Sequence, residues 1–172
     1  MRISFEEIPA EGLVLDITDA SWFPDNEFTR IGFPLAKVNL RLAQNRVIMD
    51  GVIDCPVKFN CDRCLAEYTT ELKSEFTIFY DWVGVREPSV LEDEQISIDG
   101  EIDIIELEEP EIDIWATLRQ QFYLMLPAKF VCKEDCKGLC SQCGNDMNKR
   151  LCSCSGKDVD NPFYILNKLK DN

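Results

Sequence analysis

Residues 47–80 read VIMDGVIDCPVKFNCDRCLAEYTTELKSEFTIFY, two alternating runs on either side of a Cys-x-x-Cys. Val47, Met49, Gly51, Ile53, Cys55, Val57, Phe59 and Cys61 share one parity, and Asp50, Asp54, Lys58 and Asn60 lie on the other. From Tyr68 the pattern resumes, with Thr70, Leu72, Ser74, Phe76, Ile78 and Tyr80 alternating against Thr69, Glu71, Lys73, Glu75 and Thr77. Successive side chains of a strand point to opposite faces, so each run predicts a strand with one buried face. Together they predict an antiparallel hairpin with Cys61 and Cys64 at its tip. Pro56 has no N–H for a ladder and marks a bend or a sheet edge. Cys55, on the apolar parity, reads as a small core residue without a role in chemistry.

Working outward, Val38, Leu40 and Leu42 alternate with Asn39 and Arg41 as another strand, broken at Gln44-Asn45-Arg46. Leu13-Val14-Leu15-Asp16-Ile17 fits a strand, and Ser21 to Asn26, with Pro24, a turn. Downstream, the polar stretch 84–94 with Pro88 predicts a loop. Ile96 and Ile98, Asp99-Gly100, then Ile102 and Ile104 predict a small hairpin. Pro110 between Glu109 and Glu111 suits the first turn of a helix. Ile112, Trp115, Leu118, Phe122, Met125 and Leu126 recur at helical spacing until Pro127 stops it. Asn161-Pro162 then starts a short helix through Leu169. The expected fold is α+β: an antiparallel β-sheet, open or barrel-like, covered by an amphipathic helix, with a C-terminal Cys-rich module resembling a zinc ribbon. Residues 1–127 form the β-rich core domain with its helix, and residues 128–172 the zinc-binding module with the C-terminal helix.

The 172 residues, 45% hydrophobic, suffice for a packed core and argue against global disorder. No apolar run reaches the roughly 18 residues that span a bilayer, so no membrane association is expected. MRISFEEIPAEG lacks the apolar run and cleavage site of a secretory signal, which predicts a cytoplasmic protein in reducing surroundings. The chain has no histidine, which excludes Ser-His and Cys-His nucleophile pairs and His-ligated metals. The formal net charge is −14, yet residues 87–118 alone hold twelve Asp or Glu and no Lys or Arg. A phosphate backbone needs clustered cations, whereas this acidic segment suits a basic protein partner, or serves as a solvated surface.

Six of the nine cysteines crowd into CKEDCKGLCSQCGNDMNKRLCSC, residues 132–154. In a reducing compartment clustered thiolates more often hold metal than form disulfides, and an odd count suits full pairing poorly. Ferredoxin spacings do not match. A closed structural zinc site needs four tetrahedral ligands. Cys140 and Cys143, in a Cys-x-x-Cys followed by glycine, are the anchor. Cys152 and Cys154 are favoured to complete it because Gly144 and Asn145 allow the chain to turn back, with Cys132 and Cys136 as alternative or additional ligands. Cys61 and Cys64 have three readings: a second site with Cys132 and Cys136, a metal-free tip, or a redox pair, which lacks its usual βαβ setting.

In unbroken order, CDRCLAEY at 61–68, GEIDI at 100–104, LMLP at 124–127, CKEDCKGLCSQCGNDMN at 132–148, CSC at 152–154 and NPFYILNKL at 161–169 resemble the YceD family of large ribosomal RNA subunit accumulation proteins. The resemblance covers roughly residues 46–172 and none of the first 45. It implies a non-enzymatic role in synthesis, processing or accumulation of large-subunit (23S) rRNA, with structural Zn2+ as an accessory and no catalytic residue. Family genes commonly lie beside that of a small basic zinc-ribbon protein of the large subunit. The expected partner is therefore a basic ribosomal protein or a large-subunit assembly intermediate, met through 87–118. Direct rRNA contact, by Arg63, Lys137, Lys149, Arg150 and Lys157, is the weaker expectation. The alternatives are a thiol-disulfide or metal-handling protein using Cys61 and Cys64, and a structural zinc-ribbon adaptor outside ribosome assembly.

Overall fold

A computed structural model describes residues 1–43, 46–85, 103–150 and 152–154. By internal contacts the chain divides into a sheet unit, Met1–Phe59 with Glu67–Phe130, and a second unit of Asn60–Ala66 with the described residues from Val131 on.

The sheet unit is built on the two long alternating runs, which form β5 (Arg46–Asn60) and β6 (Glu67–Trp82). Every second residue of β5 from Val47 to Phe59 is buried, including Cys55, so the period of two holds past Pro56. Pro56 lacks a donor, but its carbonyl accepts from the Ile31 N–H at 2.8 Å, next to β3 (Thr29–Arg30), which pairs with Lys58 and Val57. Strands β5 and β6 are hydrogen-bonded neighbours joined by only six residues, too few for a parallel crossover, so they run antiparallel. Gly51 leaves room for the Phe76 ring, since a Cβ there would fall 2.1 Å from it. β4 (Leu35–Ala43) pairs antiparallel with β5, and β2 (Leu13–Ile17) with β4.

The sequence expectation fails at the far edge. β7 (Asp103–Leu107) adds to β6 in parallel, Ile78 opposite Asp103 through Trp82 opposite Leu107, so the sheet is mixed. Its described strands run β2-β4-β5-β6-β7 as an open path, with β3 beside β5, and not as a closed barrel. The expected hairpin at 96–104 lies mostly outside the described residues. Its described end, Asp103 and Ile104, pairs with β6. The predicted loop beyond Val85, the break at 44–45 and the helix at 161–169 lie outside the described residues.

The covering helix starts later than Pro110 suggests. Residues Glu111–Asp113 form strand β8 against β1 (Arg2–Ser4), and the helix α1 runs Ile114–Leu124. Asp113 is its N-cap, its carboxylate accepting from the Ala116 N–H at 3.1 Å. Pairing with a strand more than a hundred residues away overrides the local helix signal, which a sequence window cannot register. Ile114, Leu118 and Phe122 lie one turn apart and are fully shut from solvent. Phe23 and Phe28 meet Phe122 edge-on at 4.9 and 5.2 Å, and Trp22 is fully buried. The stretch read as a turn, Ser21 to Asn26, thus supplies part of the core through Trp22 and Phe23. Tyr80 of β6 and Thr117 of α1 share a buried hydrogen bond of 2.6 Å; Thr117 donates onward to the Asp113 carbonyl, so Tyr80 donates to Thr117.

Candidate metal centres

Between β5 and β6 the chain makes a knuckle. The Cys61 N–H donates to the Ala66 carbonyl at 2.9 Å and the Leu65 N–H to the Cys61 carbonyl at 2.8 Å, which closes the loop and turns both thiols to one side. The turn requires positive φ at its fifth residue, and Leu65 takes it at 59°. The second Cys-x-x-Cys repeats the same bonds: Cys140 N–H to the Asn145 carbonyl at 2.8 Å, Gly144 N–H to the Cys140 carbonyl at 2.9 Å, with Gly144 at φ 70°. Glycine accepts that conformation without the Cβ penalty that leucine carries.

Within the second unit the chain from Val131 on folds back on the first knuckle at Gly138. Leu139 donates its N–H to the Arg63 carbonyl at 3.0 Å, and Gly138, at φ 72°, has that carbonyl 3.0 Å from where a Cβ would stand. The Arg63 guanidinium donates to the carbonyls of Glu134 and Cys136 at 3.2 and 3.0 Å. These bonds place Cys61, Cys64, Cys132 and Cys136 with their sulfurs within 4.8 Å of one another, and Cys140, Cys143, Cys152 and Cys154 within the same limit. The first set is the inner one, with Cys61, Cys64 and Cys136 buried; in the outer set Cys143 is exposed. Cys55, the ninth, stands apart in the core, and burial pushes its thiol up to about 12.

Tetrahedral zinc with Zn–S bonds near 2.3 Å sets its sulfurs about 3.8 Å apart. Sγ of Cys61 and Cys136 are 3.8 Å apart, those of Cys64 and Cys132 3.7 Å, and those of Cys140 and Cys152 3.3 Å. All eight thiols are free, and both sets can hold a metal ion, zinc being compatible with their all-sulfur donors and spacing. Their proton affinities are split. Burial raises the Cys61 thiol, but the N–H groups of Cys132, Cys64 and Arg63 outweigh it and bring it down to about 6. Burial and the neighbouring thiols Cys61, Cys64 and Cys136 push Cys132 up to about 12. In the outer set the N–H groups of Cys143 and Gln142 lower Cys140 to about 6, while the thiols of Cys143 and Cys152 push Cys154 up to about 12. Four negative sulfurs so close repel one another, and a dication removes that conflict.

The cations considered for RNA contact are partly committed. Arg63 is held by carbonyls as above, Lys149 lies 3.5 Å from Asp146, and Lys157 is outside the described residues. Sequence reasoning missed Asn148, whose side chain bonds Lys137, Asp146 and Cys136. Its only signal is an asparagine shortly after a Cys-x-x-Cys-Gly, too common to read.

A family model described as large ribosomal RNA subunit accumulation protein YceD matches residues 49–170. The chain belongs to the YceD family. Among relatives, a chloroplastic large ribosomal RNA subunit accumulation protein YCED homolog 1 of Arabidopsis thaliana is 25% identical over 94% of this chain and 55% of its own length. The Zea mays protein of the same description is 26% identical over 73% of this chain and 50% of its own. An uncharacterized protein of Mycobacterium bovis is 30% identical over 57% of this chain and 44% of its own. The chain thus spans about half the length of the curated relatives it matches. No solved structure matches it. The YceD match begins within β5 and takes in both cysteine sets, so the strands before it lie outside the family's matched span. No helix among the described residues is long and apolar enough to cross a membrane.

Proposed function

We propose that this chain is a non-enzymatic, cytoplasmic factor in ribosome biogenesis that supports the accumulation of large-subunit (23S) rRNA. The observation that carries this reading is the family match over residues 49–170, with relatives described as large ribosomal RNA subunit accumulation proteins. Both cysteine sets hold structural Zn2+, Cys140, Cys143, Cys152 and Cys154 binding one ion and Cys61, Cys64, Cys132 and Cys136 a second, in a zinc-ribbon-like module. A site closed by four thiolates leaves no position for substrate, which suits a scaffold better than a catalyst. The same enclosure weighs against a thiol-disulfide role, since Cys61 and Cys64 face Cys136 and Cys132 and not open solvent.

The partner is a basic ribosomal protein or a large-subunit assembly intermediate, met through the acidic run 87–118. Residues 103–109 of that run carry Asp103, Glu106, Glu108 and Glu109 with no basic residue, so opposite charge supplies the long-range attraction. Purification of the tagged chain from its own cells should recover a large-subunit protein or precursor particle, and depletion should lower 23S rRNA relative to 16S. Absence of both results sinks the proposal. Metal analysis of the same preparation should give two zinc ions per chain, lost stepwise with Cys140→Ser plus Cys143→Ser and retained with Cys55→Ser.

A further inference from the structure

The chain between the two cysteine sets is a small hairpin. It leaves the inner set at Cys136, pairs Leu139 with Asp146, turns at the Cys140–Cys143 knuckle and returns with the Met147 N–H on the Gly138 carbonyl at 2.9 Å. Its tip therefore carries half of the outer set and its base carries a ligand of the inner one. Asn148 closes that base. Its Oδ1 accepts from the Lys137 N–H at 2.9 Å, and its Nδ2 donates to Asp146 Oδ1 at 2.8 Å and to Cys136 Sγ at 3.4 Å. The amide can stand only this way round, because a backbone donor lies on one side and two acceptors on the other. Asp146 is held in turn by the Asn148 N–H at 2.9 Å, and its own carbonyl receives the N–H groups of Lys149 and Arg150.

An N–H aimed at a metal-bound sulfur fixes the ligand's orientation and draws charge from it, and outer partners of this kind commonly matter ten- to a hundred-fold. Asn148 reaches Cys136 across the base of the closed hairpin, whose tip knuckle is held by its own backbone bonds and carries two ligands of the outer set. We propose that Asn148 is the positioning residue of the inner thiolate set and couples it to the outer one, so that zinc in Cys140/Cys143/Cys152/Cys154 slows release of zinc from Cys61/Cys64/Cys132/Cys136. This rests on the two-zinc reading above. At equilibrium such coupling is reciprocal in affinity, so the inner ion raises the outer set's affinity for zinc by the same factor that the outer ion raises the inner one's.

The test follows zinc release from the full-length, zinc-loaded chain to a chromophoric chelator. Wild type is expected to release two ions in two phases, and Cys143→Ser plus Cys154→Ser removes the outer phase and so identifies the inner one. Asn148→Ala should accelerate inner release by about ten- to a hundred-fold. Emptying the outer set should accelerate it similarly relative to inner release from wild type whose outer ion is still bound, and little further beside Asn148→Ala, since both act through one contact. Asn148→Asp keeps the side-chain shape and the Lys137 contact but turns an acceptor toward sulfur. It should accelerate release at least as much with the side-chain volume kept, since the new oxygen faces two acceptors, Cys136 Sγ and Asp146 Oδ1. Unchanged inner release with either Asn148 variant, or effects that simply multiply, overturns the coupling alone. A wild-type chain holding fewer than two zinc ions overturns the two-zinc reading and the coupling together.

Discussion

In the sheet unit Trp22, Leu40, Met49, Ile53, Ile112, Leu118 and Phe122 are completely shut from solvent, whereas among the described residues of the cysteine-rich unit only Cys61, Cys64, Cys136 and Gly138 are buried. The first unit is held by apolar burial, at roughly 1.5–3 kcal/mol for each large side chain removed from water. The second has no such reservoir. Its order comes from backbone bonds around two knuckles and from whatever neutralises the thiolates, so the two units should respond to different insults.

The strongest way to break that contrast is to remove metal. Structural zinc contributes on the order of 10 kcal/mol to small all-sulfur modules, so chelation should collapse the second unit and leave the sheet folded. Amide exchange should show protection lost at Leu139, Gly144 and Met147 and kept along β5 and β6. Protection that survives chelation at those three amides would mean that backbone bonds alone hold the unit.

The converse test is Phe122→Ala. Removing a ring packed edge-on against Phe23 and Phe28 should cost about 3–5 kcal/mol in denaturant unfolding of the sheet unit. Zinc stoichiometry should stay the same, and a loss of zinc at temperatures where the sheet is folded would contradict the separation of causes.

A smaller effect is expected at the helix start. Asp113→Ala removes the N-cap and should cost about 1 kcal/mol. Burial raises the Asp113 carboxyl, but the Ala116 N–H, the chain's amino terminus and Arg2 outweigh it and hold it below the usual carboxylate range. The contribution of a group depressed on folding is present above its unfolded value near 4 and fades as pH falls through the folded one. The wild type and Asp113→Ala should therefore differ in stability at pH 6 and converge below about pH 4. A constant difference across that range would place the cost elsewhere than in the carboxylate.

The smallest effect compares the two knuckles directly. Leu65 at φ 59° carries a strain that Gly144 at φ 70° avoids. Its side chain is 66% exposed, so Leu65→Gly gives up little packing and should stabilise the metal-loaded unit by up to about 1 kcal/mol. Gly144→Leu should cost a similar amount or more. Destabilisation by Leu65→Gly in thermal melts would show that the leucine side chain contributes something its exposure conceals.

The alternating parities of 47–59 and 68–80 are local, and a period of two with one apolar face has one low-energy solution, so the central hairpin was readable residue by residue. Both Cys-x-x-Cys turns are local as well, because the loop bonds that define them span no more than six residues. Long-range pairing was not. Strand β7 joins β6 in parallel, and β8 displaces the start of the helix by pairing with β1, because those partners are chosen by buried area across the fold and not by neighbours in sequence. The same holds for the thiols. Spacing alone leaves Cys132 and Cys136 free to serve either knuckle. The bond from Leu139 to the Arg63 carbonyl, closing more than seventy residues of chain, brings them to Cys64 and Cys61 and leaves Cys152 and Cys154 to Cys140 and Cys143. Sequence by itself determined the central strands, both knuckles and the apolar faces of β4, β5 and α1, but not β8 or the core role of Trp22 and Phe23. Only the tertiary structure decided which sulfurs face one another, because that choice depends on chain closure that no local pattern encodes.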